Sequence, residues 1–226
     1  MRKAIAIFFV LLLGSRYVHA EKPHTPFVSL AEAMRTYEQL NLQQLGLNKS
    51  IFQKALKGFE KLLQQGKINS EILSVCDFSK SSNEKRLFVI DLAKRQVLFN
   101  SLVAHGKNTG EEFASRYSNE PSSYQSSLGF HITGDTYQGK HGLSLKLEGV
   151  EKGFNDNAEK RAIVMHGADY VSENFIAEQG RLGRSFGCPS VPMELRDHII
   201  NALKGGSCLF IFYPDKNYLA KSHLIK

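Results

Sequence analysis

A change of pattern near residue 72 limits what this chain can fold into more than any other feature. Before it, apolar residues recur at helical spacing. After it, the chain breaks into short runs of β-branched and aromatic residues between turn-forming residues. Strands this short and close favour an antiparallel barrel or sandwich, so we predict a mainly β (α+β) fold after a short helical segment. The predicted strands are 72–78, 86–92, 97–104, 129–133, 143–147, 162–165 and 208–213.

End signals predict two helices in the segment before residue 72. Ser29 and Glu32 form a capping box, in which the Ser side chain bonds the N3 amide and the Glu side chain reaches back. A helix should follow it to about Asn41. Asn48 is the expected N-cap of a second helix, which ends at Gly66.

The β-rich part contains one further helix and one long loop. Pro192 at the first helical position, Glu194 in the first turn and Gly205 just past the end predict a C-terminal helix. The polar stretch 106–127 exceeds the usual length of a connection. We therefore expect it to act as a lid or a binding loop.

The N-terminus has the pattern of a secretion signal. Arg2 and Lys3 precede an apolar stretch, residues 4–13, which is too short to span a bilayer, and residues 18–20 resemble a small-x-small cleavage site. An uncleaved membrane anchor is the alternative. We expect residues 1–20 to be removed, 21–70 to form the helical segment and 71–226 the β-rich domain. The mature protein should be an exported monomer outside the membrane, in the periplasm or cell envelope.

The charge balance limits the choice of partners. Removal of residues 1–20 takes away three basic residues and no acidic one, so the formal net charge falls from +7 to +4. This mild excess fits contact with anionic envelope material, and equally fits a solvated surface. No basic run with interleaved aromatic residues is present, so nucleic acid is not an expected partner.

The three cysteines differ in their surroundings. In an oxidising compartment an odd number leaves one thiol over. Cys76 and Cys208 both lie in apolar strand-like runs, where they either form a disulfide or are two buried hydrophobic side chains. Cys188 lies among Gly, Pro and Ser residues, so it is the expected free thiol.

Cys188 and His166 form a candidate nucleophile–base pair. A thiol is mostly protonated at neutral pH, so a nucleophilic Cys needs a base or a nearby cation; His166 is the candidate base, and Arg181 and Arg184 are the candidate cations. The backbone N–H groups of Gly187 and Cys188 are candidates for an oxyanion hole. On pattern alone, a structural Cys and a structural His remain the alternative. No close pairing such as CxxC or HxxxH indicates a metal site.

These segments resemble the signature of the murein L,D-transpeptidases, the YkuD-type domain. His166-Gly167 followed by Ser185-Phe186-Gly187-Cys188 is similar to the His-Gly … Ser-His-Gly-Cys motif of that family. The stretch 127–130 is similar to the Thr-Pro-x-Gly-x-Phe strand that precedes the motif. The likeness runs from about residue 47 to 214. Its further shared segments are 126–130, 137–142, 155–158, 161–171 and 183–189.

The resemblance implies a mostly β catalytic domain with Cys188 as nucleophile, His166 as base and the Gly167 carbonyl orienting the imidazole. The substrates it implies are the tetrapeptide stems of peptidoglycan. The thiolate would attack the carbonyl that links the third residue, a diamino acid, to the terminal D-Ala. The D-Ala would then leave. An acceptor amine from another stem would resolve the thioester and give a 3→3 cross-link. No cofactor, ATP or metal is implied, because the broken peptide bond carries its energy into the thioester.

The chain departs from the wider family at two positions. Phe186 stands where the family has a His, so the base role falls on His166. Ser190 stands where the family has an Arg, and we take Arg184 as its replacement in substrate binding. For His105, His131 and His141, a place in the cleft and a place in the core or on the surface are both open. The remaining candidates for substrate binding are Ser185, Phe130, Tyr137 and His141.

Two alternatives to a transpeptidase stay open. With water as acceptor, the same site would be an L,D-carboxypeptidase, and with a free D-amino acid it would exchange the terminal residue. The other alternative is a catalytically silent peptidoglycan-binding protein, against which the intact Cys188 and His166 argue. The sequence does not decide between acceptors, because acceptor choice depends on the shape of the cleft.

Overall fold

One mixed sheet of eight strands organises the computed structural model, which describes residues 30–226. The strands are β1 Ile72–Asp77, β2 Leu87–Asp91, β3 Gln96–Ser101, β4 Gly129–Gly139, β5 Gly142–Gly149, β6 Val164–Gly167, β7 Ser190–Val191 and β8 Cys208–Phe212. Their order across the sheet is β3-β2-β1-β8-β4-β5-β6-β7. The sheet is nearly closed into a barrel, which confirms the predicted α+β class.

Five short helices accompany the sheet in the described part of the chain. They are α1 Leu30–Gln39, α2 Lys49–Gln64, α3 Glu173–Gln179, α4 Arg196–Leu203 and α5 Lys216–Lys221. The longest begins at its predicted N-cap, because the Asn48 side chain accepts a hydrogen bond from the Ser50 N–H at 2.8 Å. None of the helices in residues 30–226 combines the length and the apolar character that a membrane crossing requires. The predicted signal segment, 1–20, and the capping residue Ser29 lie outside the described residues.

Helix α2 packs its apolar face on the sheet. Its Gly58 lies so close to the Phe130 ring of β4 that a Cβ at this position would overlap the ring, which explains a glycine in the middle of a helix. The apolar residues of α1, α2 and the sheet form one buried cluster. The helical segment therefore shares its core with the β-rich part.

All seven predicted strands are present, and the sheet adds one more. β4 extends six residues beyond its predicted end at 133 and forms a long hairpin with β5. The additional strand, β7, has two residues, too few for a periodic pattern. The prediction of an antiparallel sheet is wrong at two pairs, since β8 runs parallel to β1 and β7 parallel to β6. After β6 the chain passes through α3 before it returns in the same direction as β7, as a parallel pair requires.

The C-terminal helix begins later than predicted. α4 starts at Arg196, and Pro192 lies in a preceding turn, in which the Leu195 N–H donates to the Pro192 carbonyl at 3.1 Å. Asp197, rather than Glu194, is therefore the acidic residue of its first turn. The helix ends as predicted, with a glycine at positive φ just beyond it.

Cys76 and Cys208 are free thiols, so the disulfide alternative is wrong. In the β1–β8 pair, Cys208 lies beside Leu73 and Cys76 beside Ile211, so three residues of register separate the two cysteines. Both side chains are fully buried, and burial raises the pKa of each thiol, that of Cys76 to about 12. They pack as small apolar side chains.

Candidate active site

The parallel pair of β6 and β7 brings the predicted nucleophile and base together. His166 stands opposite Ser190 in the register. Cys188 lies two residues before Ser190, just outside β7. The Val164 N–H donates a hydrogen bond to the Cys188 Sγ at 3.5 Å. The thiol therefore contacts the strand that carries the imidazole.

Both side chains line a single cleft of about 420 Å³. Four of the five predicted substrate contacts line the same cleft: Tyr137, His141, Arg184 and Ser185. Phe130 does not. It is fully buried on the α2 side of the sheet and stacks on Phe210 with ring centroids 4.3 Å apart, so it belongs to the core. His105 and His131 are also buried and lie outside the lining.

The hydrogen bonds of His166 define its tautomer. Nδ1 lies 2.9 Å from the Gly167 carbonyl, which only accepts, so Nδ1 carries the proton. In a neutral imidazole Nε2 is then an acceptor, and the Ser190 hydroxyl, 3.1 Å away, donates to it. Tyr170 in turn donates its hydroxyl proton to Ser190 at 3.1 Å. Burial lowers the pKa of His166, as does the neighbouring His141, so the ring is neutral at neutral pH.

A second imidazole lies against His166. His141, in the turn between β4 and β5, stacks on it with ring centroids 4.4 Å apart and an angle of 19° between the planes. This contact depends on the long β4–β5 hairpin, which carries the turn across the mouth of the cleft. The exposed position of His141 leaves it accessible to a bound molecule.

The Cys188 thiol is partly exposed and has two polar neighbours. It accepts from the Val164 N–H and donates to the Ala162 carbonyl at 3.8 Å. Burial raises the pKa of the thiol, while the Val164 N–H and the positive charge of Arg161 act in the opposite direction. His166 Nε2 is occupied by Ser190 rather than by the thiol, so the pair is adjacent but not hydrogen-bonded in this conformation.

The turn that carries Cys188 is held by Ser185. Its hydroxyl donates to the Cys188 carbonyl at 2.6 Å and accepts from the Gly187 N–H at 3.0 Å. Gly187 has a φ of +125°, a conformation that favours glycine. Because the Gly187 N–H is engaged, the Cys188 N–H, for which residues 30–226 provide no partner, is the better placed of the two predicted oxyanion donors.

Arg184, the predicted substitute for the family arginine, is bound to the 106–127 loop. Its Nη1 donates to the Glu111 carboxylate at 2.6 Å and to the Gly110 and Lys107 carbonyls at 3.2 Å each. Its charge is therefore compensated in part. Arg161, which sequence reasoning did not single out, lines the same cleft. The signal for it was its place in the shared segment just before the His166 strand.

The sequence profile of the family described as "L,D-transpeptidase catalytic domain" matches residues 43–212. This chain belongs to that family. The match includes α2 together with the Cys188 and His166 segments, so the cleft lies within the family domain. A comparison with curated proteins finds no match.

Several solved structures are similar to this L,D-transpeptidase-family chain in fold. An L,D-transpeptidase from Mycobacterium smegmatis is 12% identical over 64% of this chain and 60% of that chain, with a TM-score of 0.39. The helical cell shape determining protein of Campylobacter jejuni is 11% identical over 75% and 58%, with a TM-score of 0.42. An L,D-transpeptidase from Stackebrandtia nassauensis is 13% identical over 81% and 77%, with a TM-score of 0.37. This chain thus spans less than two thirds of the length of the first two.

Phe186 and Ser190, the two departures from the wider family signature, both lie close to the proposed catalytic residues in the structure. Phe186, at the position of the family His, is 68% exposed and contacts Tyr124 of the 106–127 loop with ring centroids 4.7 Å apart. The second imidazole at this site comes from His141 instead. Ser190, at the position of the family Arg, lies beside His166. Among residues 30–226 no group of three or more His, Cys, Asp or Glu side chains is arranged to hold a metal ion.

Proposed function

We propose that this protein is an exported peptidoglycan L,D-transpeptidase that works through a thioester on Cys188. One observation carries the proposal: Cys188 and a neutral His166 line the same cleft within the family domain. A neutral imidazole with a lone pair on Nε2 is the form that accepts a proton from a thiol. We retain the expected export signal at residues 1–20, the helical segment 21–70 and the catalytic domain 71–226 as part of this proposal.

The first half of the reaction uses the two side chains in sequence. His166 Nε2 takes the thiol proton of Cys188, and the Ser190 hydroxyl gives way at that moment because Nε2 has one lone pair. The thiolate attacks the carbonyl before the terminal D-Ala, and the Cys188 N–H stabilises the oxyanion. The C–N bond then breaks, Nε2 returns its proton to the leaving amine, and a thioester remains on Cys188.

In the second half of the reaction, His166 Nε2 again accepts a proton and then releases it. The acceptor amine attacks the thioester and gives its proton to His166 Nε2. The C–S bond breaks, and the proton returns to the thiolate, so Cys188 and His166 end as they began. The Gly167 carbonyl holds Nδ1–H throughout and keeps Nε2 facing the reaction. No oxidant, nucleotide or metal enters these steps.

The charge of the cleft suits an anionic peptide. Its lining contains three cationic residues, Lys140, Arg161 and Arg184, and no Asp or Glu. Stem peptides carry free carboxylates, which such a surface attracts. We assign substrate binding to Arg184, Ser185, Tyr137 and His141, and withdraw Phe130 because it lies in the core.

The decisive test gives disaccharide-tetrapeptides to the protein and reads the products by mass spectrometry. A dimer lacking one D-Ala supports the transpeptidase, a tripeptide shows an L,D-carboxypeptidase, and an exchanged terminal residue in the presence of a D-amino acid shows exchange. Cys188→Ala should abolish every product. Cys208→Ala, which removes a thiol buried far in the core, is the matched control and should keep activity. Substrate that is bound but unchanged by the wild-type protein would refute catalysis and indicate a binding protein.

A further inference from the structure

Arg161 is a half-buried positive charge of the cleft that has no counter-ion within residues 30–226. Of the two arginines that line the cleft, Arg184 is paired with Glu111 at 2.6 Å. Arg161 forms no ion pair in the described part of the chain; the only carboxylate that acts on its pKa is the exposed Glu120, through space. A half-buried guanidinium without a carboxylate partner is unusual, because its burial has an electrostatic cost.

The Arg161 side chain is nevertheless rigidly held. Nη1 donates to the Ser118 carbonyl at 2.6 Å and to the Ser127 hydroxyl at 2.5 Å. Nη2 donates to the Gln125 carbonyl at 2.5 Å and to the Ser123 hydroxyl at 3.2 Å. All four acceptors are neutral and belong to the 106–127 loop or its end. They fix the position of the guanidinium and leave its charge uncompensated.

This position adjoins the turn of the nucleophile. The Arg161 Nη2 lies 3.3 Å from the point that a Cβ of Gly187 would occupy, and Gly187 directly precedes Cys188. Ala162, between Arg161 and the start of β6, has a φ of +52°, which non-glycine residues rarely adopt. The same residue presents its carbonyl to the thiol. Uncommon backbone of this kind is found where a functional geometry is imposed.

We propose that Arg161 is the counter-charge of the Cys188 thiolate. The proposal rests on the proposed function only in naming Cys188 as the nucleophile. Four of the five N–H donors of Arg161 are already engaged, so it acts through its charge and is a positioning residue. A cation beside a thiol favours the ionised form that attacks carbonyl carbon.

Other titratable groups line the same cleft and also affect how the ionisation of Cys188 depends on pH. They come from the β4–β5 hairpin, from β6 and the segment after it, and from the turn before Cys188: Tyr137, Lys140, His141, His166, Tyr170 and Arg184. None of them is altered in the variants below. A change in the ionisation of Cys188 between these variants therefore reports on Arg161.

The test measures the rate of alkylation of Cys188 by iodoacetamide as a function of pH, read on the Cys188 peptide by mass spectrometry. In Arg161→Met the midpoint of the rate profile should rise by about one pH unit, and the rate below the midpoint should fall about tenfold. Arg161→Lys keeps the positive charge but loses the planar guanidinium group. Its midpoint should lie close to that of the wild type. If the Met variant fails to fold by circular dichroism, Arg161→Gln makes the same comparison with a polar side chain.

Two control variants distinguish an effect of the Arg161 charge from an effect of its hydrogen bonds to the 106–127 loop. Ser123→Ala removes one hydrogen bond of Arg161 and keeps the charge, so the midpoint should stay in place. Arg116→Met removes an equal charge from an exposed position of the same loop, outside the cleft lining, and should also leave it in place. An unchanged midpoint in the Met variant, or an equal rise in the Met and Lys variants, would overturn the proposal. No peptide substrate is used, so failure here is distinct from failure of the transpeptidase assay.

Discussion

Lowering the pH from 7 to 4.5 should destabilise the protein through His131, and His131→Gln should remove that part of the loss. His131 is fully buried in β4. Its Nδ1 donates to the Gly129 carbonyl at 3.2 Å, and its Nε2 has no partner among the described residues. Burial lowers the pKa of this imidazole from 6.5 to about 4, because nothing in the core compensates a positive charge on the ring.

The sign and size of the effect follow from linkage. The unfolded chain takes up a proton at His131 near pH 6.5, whereas the folded protein keeps the ring neutral down to about pH 4. The stability is therefore fully present above pH 6.5 and declines as the pH falls through this window. These two pKa values give a loss of about 2 kcal/mol between pH 7 and pH 4.5. His105, with its pKa lowered by burial to about 3, contributes a loss in the same direction but is present in both proteins.

Urea unfolding followed by circular dichroism at both pH values measures the effect, since the chain has no Trp for fluorescence. Gln is close to His in size, still offers a donor to the Gly129 carbonyl and does not titrate. The variant should lose about 2 kcal/mol less than the wild type between the two pH values. Its absolute stability at pH 7 cancels in this comparison. Equal losses in both proteins would refute the buried neutral imidazole.

Three further results are expected. Gly187→Ala should abolish the products formed from disaccharide-tetrapeptides, read by mass spectrometry, while circular dichroism stays unchanged, because the added Cβ at a φ of +125° would lie 2.8 Å from the Gln125 carbonyl. Ser190→Ala should move the acidic limb of the kcat/KM profile to higher pH by about half to one unit, because His166 Nε2 loses a donor that favours the neutral ring. Titration of the protein unfolded without reductant should find three thiols per chain.

The strands and the first residue of α2 could be predicted because their signals are local. Turn residues bound each strand, and the Asn48 side chain caps α2 by bonding a backbone N–H two residues away. The start of α4 could not be predicted in this way. Pro192 suits both a first helical position and a turn, and the hydrogen bond that decides between them forms only in the folded chain.

The sequence by itself was enough to identify the family and to name Cys188 and His166 as the candidate nucleophile and base, because these inferences depend on residue identity and order along the chain. Only the tertiary structure decided which other side chains surround them. The parallel β6–β7 pair places Ser190 against His166, and the long β4–β5 hairpin brings His141 onto the same ring. Strand order and pairing depend on contacts between distant segments, which no local pattern encodes.

The two arginines of the cleft show most clearly what the sequence could predict and what only the tertiary structure determined. Arg184 and Arg161 are both close to motif residues in the sequence, and only the fold shows that, within residues 30–226, Arg184 has a carboxylate partner and Arg161 has none. Phe130 is a case in which the sequence-based prediction was wrong. Its place in a segment shared with the family suggested a position in the cleft, whereas its side chain packs in the core. Residue order thus predicted the candidate chemistry, and the pairing of distant strands determined which side chains line the cleft beside Cys188 and His166.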